Sequence, residues 1–122
     1  MPKFLKCKHC GQIVGVLKDT GVPIICCGEE MQELVANTVD ASKEKHVPVL
    51  TYEGDVLTVN VGSVDHPMID AHFIEWIYVE TKTGGMRVSL HPGMKPRAEF
   101  LVKKEDVVAV YEYCNLHGLW KI

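Results

Sequence analysis

From about residue 47 onward, apolar and polar positions alternate in short runs. In DVLTVNV (55–61), Leu57, Val59 and Val61 fall on one side and Val56, Thr58 and Asn60 on the other. That two-residue period predicts a strand with one buried face. HFIEWIYVET (72–81) places Ile74, Trp76 and Tyr78 on one face and Phe73, Ile77 and Val79 on the other. MRVSL, AEFLV, VVAVYEY and GLWKI follow, separated by Gly, Pro and charged turns. Strands this short and this frequent predict an antiparallel β-sandwich, and no helical period of useful length interrupts them. Both tryptophans, Trp76 and Trp120, read as core residues.

The first part of the chain is patterned differently. IVGVL (13–17) and PIIC (23–26) read as two short strands joined by the turn-like KDTG, and the polar ANTVDASKEK (36–45) reads as a linker or loop. The expected organisation is all-β: a small unit over residues 1–36, then a sandwich over residues 37–122. A unit as short as the first has little room for a core and needs a metal, a disulfide or a partner to hold it.

Composition narrows the choice. The chain has 122 residues, 47% of them hydrophobic and 24% charged, with a net charge of -3. That is the balance of a globular protein, without a basic field for nucleic acid or a long acidic run. No stretch approaches the ~20 apolar residues of a membrane span. The N-terminal MPKFLKCKHC lacks the apolar run of a signal peptide, so a cytoplasmic protein is expected. In that compartment thiols stay reduced, and clustered cysteines bind metal more often than they form disulfides.

Four of the five cysteines lie in the first 27 residues. Cys7-x2-Cys10 lets two thiolates point at one ion, and Cys26-Cys27 completes a set of four. Four sulfurs make a tetrahedral site that suits zinc and iron alike. The adjacent pair is unusual, because its shared peptide must bend before both sulfurs can reach one ion. Gly11 and Gly28, each following a pair, allow the tight turns this needs. With four sulfurs present, His9 reads as solvent-facing.

The second candidate set is dispersed. His46, His66, His72 and His117 each flank a predicted strand, and Cys114-x2-His117 has metal-ligand spacing. Strand ends on a rigid sandwich are where functional groups gather. Any one of these histidines alone is an ordinary residue; four with an unpaired cysteine leave a metal site and an unliganded surface both open. His91 sits in a separate turn and is set aside.

The motifs carry further together. KEKHVP (43–48), DHPM (65–68), AHFIEWI (71–77) and EYCNLHGLWK (112–121), preceded by CKHCG (7–11) and CCGEEM (26–31), resemble the desulfoferrodoxin family, the two-iron class of superoxide reductase. The likeness spans essentially the whole chain. It implies a desulforedoxin-like domain with a distorted Fe(Cys)4 centre on Cys7, Cys10, Cys26 and Cys27. It also implies an immunoglobulin-like sandwich with a catalytic iron on His46, His66, His72 and His117 in a plane and Cys114 on the axis, leaving one position open to superoxide. Glu44 then reads as a gate that replaces product, and Lys45 as a local positive charge that attracts superoxide and helps protonate the peroxide. The resemblance further implies a rubredoxin-type electron donor and a cytoplasmic homodimer. Two other readings make different predictions. A zinc ribbon fused to a binding sandwich would be colourless, and an electron carrier using the cysteines alone would hold one iron per chain.

Overall fold

In the computed structural model, which describes residues 1–122, the chain forms two units, Met1–Val35 and Ala36–Ile122. The first contains five short strands: β1 (Phe4–Lys6), β2 (Ile13–Gly15), β3 (Ile25–Cys26), β4 (Glu29–Glu30) and β5 (Gln32–Glu33). β1 pairs antiparallel with β2 on one side and β5 on the other, and β3 pairs with β4. The two strands expected around KDTG are therefore not partners. The β2 edge is taken by β1, a three-residue strand too short to show a period, while β3 turns straight back on itself into β4. The core of this unit is Leu5, Cys7 and Met31, with Val14, Val16 and Cys26 packed against it. Two of those six residues are cysteines of the candidate metal set.

The first element of the second unit is a single helical turn, α1 (Lys43–His46), which starts in the stretch read as linker and ends one residue past it; Val47 N–H closes it on the Lys43 carbonyl at 2.9 Å. Then come β6 (Pro48–Glu53), β7 (Val56–Val61), β8 (Ile74–Thr81), β9 (Gly84–Ser89), β10 (Arg97–Leu101), β11 (Val107–Cys114) and β12 (Gly118–Lys121). They form two antiparallel sheets, ordered β10-β7-β6 and β12-β11-β8-β9. Leu57, Val59, Val61, Ala98 and Phe100 of the first sheet meet Ile74, Ile77, Val79, Val110 and Cys114 of the second in one core. The alternation read in β7 holds: its three inward residues are fully buried.

β8 departs from the expected alternation. The ladder with β11 steps from Tyr113 opposite Trp76 to Cys114 opposite Ile74, leaving Glu75 as an extra residue. This bulge turns Ile74 to the face of Ile77 and Val79, so it joins the core and not Trp76 and Tyr78. Trp76 instead stacks on Tyr113, ring centroids 5.6 Å apart. In the ladders Pro48 lies opposite Val61, and Cys114 opposite both Ile74 and Gly118. The α1–β6, β7–β8 and β11–β12 connections are thereby brought to one end of the sandwich.

Candidate metal centres

Cys7 follows β1 into a tight turn, in which its N–H donates to the Gln12 carbonyl and Gly11 N–H donates to the Cys7 carbonyl, both at 2.9 Å. Cys26 ends β3 opposite Glu29. Cys27 and Gly28 are the two residues between, with φ of 52° and 75°. Positive φ at both central residues is the mark of a type I′ hairpin turn, a conformation costly for a residue bearing a Cβ. It also resolves the adjacent pair, since neighbours on an extended strand point to opposite sides. Cys10 and Cys26 sulfurs are 3.7 Å apart, and all four sulfurs lie within 4.8 Å of one another. Cys7 is buried, while Cys10 and Cys27 are exposed. His9 is exposed and outside the set; its Nε2 lies 3.2 Å from Glu29 Oε1, and Lys8 Nζ lies 2.8 Å from Glu29 Oε2. This charged clasp ties the two cysteine-bearing turns together.

Cys7, Cys26 and Cys27 do not share one affinity for protons. The Cys10 backbone N–H, with that of His9, pulls the Cys7 thiol down to about 6. Hydrogen bonding to Cys7 and then to Cys10 pushes Cys26 up to about 12, and hydrogen bonding chiefly to Cys10 raises Cys27. The Cys7 thiolate forms readily, while Cys26 and Cys27 hold their protons. Full deprotonation of the set calls for a cation among the sulfurs.

At the end of the sandwich, His46 closes α1, His66 follows β7, His72 precedes β8, Cys114 ends β11 and His117 lies in the turn before β12. Their donor atoms all lie within 4.8 Å of one another. Ring centroids of neighbouring imidazoles are 4.7 Å apart for His46–His66, 4.5 Å for His66–His72, 5.0 Å for His72–His117 and 4.8 Å for His117–His46. The His46–His72 diagonal is 6.5 Å. Four near-equal sides and one longer diagonal describe a square, with adjacent rings set at 73° to 86°. His66 Nε2 and His117 Nδ1 both approach His46 Nε2, at 3.2 and 3.1 Å. His72 Nε2 is buried without a partner, and Cys114 Sγ lies 4.0 Å from His117 Nδ1.

Two of the rings are supported from behind. His46 Nδ1 is 2.7 Å from the Ser42 carbonyl and His66 Nδ1 is 2.7 Å from the Pro67 carbonyl, which leaves each Nε2 as the donor atom. The His46 ring also stacks on Trp120 at 4.9 Å, and Trp120 Nε1–H donates to the His117 carbonyl at 3.0 Å. Burial holds His66 neutral down to about 4 and lowers His46 and His72 as well. Neutral imidazoles are what a metal requires. Burial raises the Cys114 thiol, and the backbone N–H groups of His117 and Leu116, directed at the sulfur, oppose that rise.

Glu44 and Lys45 are both exposed and stand immediately before His46. The Lys45 charge is felt at His46 and at His72. The Glu44 carbonyl accepts from Val64 N–H at 2.9 Å and from the Ser63 hydroxyl at 3.2 Å. Gly62 makes this contact feasible: a Cβ there would lie 2.6 Å from the Glu44 carbonyl oxygen and 3.0 Å from that of Val47. The segments carrying His46 and His66 therefore meet backbone to backbone.

A desulfoferrodoxin profile matches residues 38–122, and a profile for the desulfoferrodoxin N-terminal domain matches residues 3–34. The chain belongs to the desulfoferrodoxin family. A desulfoferrodoxin of Nitratidesulfovibrio vulgaris is 49% identical over 119 residues, covering 98% of this chain and 94% of its own. The crystal structure of the superoxide reductase from Treponema pallidum superposes with a TM-score of 0.83 at 34% identity, covering 100% of this chain and 98% of its own. A one-iron superoxide reductase from Giardia intestinalis covers 66% of this chain and 96% of its own, with a TM-score of 0.53 at 32% identity.

The donor sets fit the two iron centres of a desulfoferrodoxin. Four imidazoles in a square with one cysteine sulfur offer five donors, not the four-donor tetrahedron that a structural zinc favours. Several supporting groups carried no signal in the sequence. The Ser42 and Pro67 carbonyls are main-chain atoms, and Gly62 is a lone glycine whose need shows only once the α1 segment is beside it. Trp120, read as a core residue, is buried and serves the site as well.

Proposed function

We propose that this protein is a superoxide reductase: each superoxide takes up one electron and two protons and leaves as one hydrogen peroxide. In this reading the N-terminal residues 1–36 hold one iron on Cys7, Cys10, Cys26 and Cys27. Residues 37–122 hold the catalytic iron on His46, His66, His72, His117 and Cys114. A rubredoxin or similar one-electron carrier supplies electrons to a cytoplasmic homodimer. No helix is long and apolar enough to cross a membrane. The observation that carries the reading is the square of four imidazoles with one buried cysteine sulfur in reach of all four.

Iron held by His46, His66, His72, His117 and Cys114 would supply the electron. The chain's own residues do the rest. The exposed Lys45 ammonium, next to His46, gives an anion a local attraction that the net charge of -3 does not. Its charge, felt at His46 and His72, would also favour protonation of the peroxide as negative charge builds on it. Glu44 hangs its carboxylate from a main chain pinned by Ser63 and Val64, so it can take the place that product leaves without unravelling the loop. The N–H groups of His117 and Leu116 directed at Cys114 would temper the thiolate's donation to a bound iron.

Counting products tests the reaction. With excess reductant, a reductase yields one peroxide per superoxide consumed, and a dismutase yields one per two. Two irons per chain and the one-to-one yield support the proposal; zinc in the cysteine set, no second metal and no superoxide-driven oxidation would overturn it. Lys45→Ala slows the bimolecular step with superoxide and flattens its dependence on ionic strength. Equal rates at low salt would remove the steering role.

A further inference from the structure

Metal-bound imidazoles are normally aimed by a hydrogen bond from the ring nitrogen that does not face the metal. His46 and His66 have such bonds to the Ser42 and Pro67 carbonyls. His72 has no such bond: its buried Nε2 is left for the ion, like those of His46 and His66, and no protein group hydrogen-bonds its ring from behind. What is held is the main chain on either side of it. Asn115 Oδ1 accepts the Phe73 N–H at 2.9 Å, Asn115 Nδ2–H donates to the Ala71 carbonyl at 3.1 Å, and Asn115 N–H donates to the Phe73 carbonyl at 3.2 Å. The N–H and carbonyl of His72 itself are both paired with Ile69 at 3.0 Å. Every peptide around His72 is thus fixed, and three of the bonds that fix them come from the residue directly after Cys114.

We propose that Asn115 is a positioning residue that aims His72. It locks the His72 segment to the end of β11, so that one imidazole of the square and the Cys114 sulfur keep a fixed relation. The job needs a side chain that accepts and donates across one short span, which is what a carboxamide offers. Alanine offers neither bond. Aspartate keeps the acceptor for Phe73 but turns an anion toward the Ala71 carbonyl. The inference rests on His72 and Cys114 sharing one ion, and that premise is checked in the unsubstituted protein alone: absence of iron from its His/Cys centre would defeat the functional reading before any variant is made.

The test uses the two-iron protein with Asn115→Ala, Asn115→Asp, His72→Ala and the Asn115→Ala/His72→Ala double variant. Release of iron from the His/Cys centre to a chelator is timed, with the Fe(Cys)4 centre of the same molecule as internal reference. The energy of the thiolate-to-iron absorption band is recorded alongside. Asn115→Ala is expected to release iron about 10- to 100-fold faster, the usual cost of losing a group that supports a metal ligand, and to shift the band. The Fe(Cys)4 centre stays unchanged. Asn115→Asp should fall between the two. The double variant should be no faster than His72→Ala alone, because a residue acting through His72 has nothing to act on once the imidazole is gone. An unshifted band with unchanged release in Asn115→Ala, an Asn115→Asp variant matching the unsubstituted protein, or full multiplication of the two single effects would each overturn the proposal.

Discussion

The two donor sets are built in opposite ways. The cysteine set sits in a unit whose core is three buried residues, one of them Cys7, and two of its sulfurs are exposed. The histidine set sits on a sandwich whose core draws on both sheets, with His46 and His66 at 2% exposure and Cys114 at none. In the first case the ion completes the core; in the second the core prepares the place for the ion. Cys27 at φ 52° fits the same contrast: the turn holds a conformation costly for a residue bearing a Cβ, and an ion on the four sulfurs would help to offset that cost.

The largest expected effect follows directly. Stripping metal from both centres should abolish hydrogen-exchange protection across Met1–Val35 while β7, β8 and β11 stay protected. Equal loss in both units would erase the distinction. Next in size is the effect of pH on the metal-free sandwich. Glu112 is fully buried with neither carboxylate oxygen partnered, and burial raises it from 4.5 to about 9. Between those values only the unfolded chain gives up this proton. The contribution of Glu112 is therefore whole below pH 4.5 and lost as pH rises toward 9, at up to ~1.4 kcal/mol per pH unit. Glu112→Gln should flatten that alkaline slope in urea denaturation; an unchanged slope would assign it elsewhere. His66 acts with the opposite sign. Held neutral down to about 4 against an ordinary 6.5, it contributes fully above pH 6.5 and loses its contribution as pH falls through 4.

Gly62→Ala comes third. Its Cβ would press on the Glu44 carbonyl, an overpacking worth ~1–3 kcal/mol. The thermal midpoint should fall and the His/Cys centre should change its spectrum, with the cysteine centre untouched. Smallest is Glu29→Gln, which weakens the clasp with Lys8 and His9. Those groups are exposed, so the melting point should not move measurably. Faster exchange of the Fe(Cys)4 metal is the only expected trace, and a clear fall in melting temperature would mean the clasp is structural.

Much of this was legible in the chain itself. The buried alternation of Leu57, Val59 and Val61 marked a strand, and the cysteine spacing marked a metal set. The family likeness of the motifs gathered the dispersed histidines, whose convergence no local pattern could show. What escaped was set by non-local geometry. Glu75 bulges only because β11 runs beside it, which moved Ile74 to the other face. β1 is too short to declare a period, and α1 is one turn in a polar stretch, shaped by the groups it meets and not by its own propensity. Asn115 sits in plain view beside Cys114, but its partners, Ala71 and Phe73, lie more than forty positions away.

The order of the four imidazoles around their square is also their order along the chain: 46, 66, 72, 117. The polypeptide makes one circuit of the site and returns to its starting point. The seam of that circuit is the His117–His46 contact, 3.1 Å across and 71 residues apart in sequence. An ion held by both residues is therefore a cross-link closing a ring of most of the sandwich. For a ring that size, the chain entropy removed from the unfolded state is worth on the order of 4 kcal/mol. The centre that handles the substrate is, in polymer terms, also the knot in the string, and a cell short of iron would lose durability in this protein together with its activity.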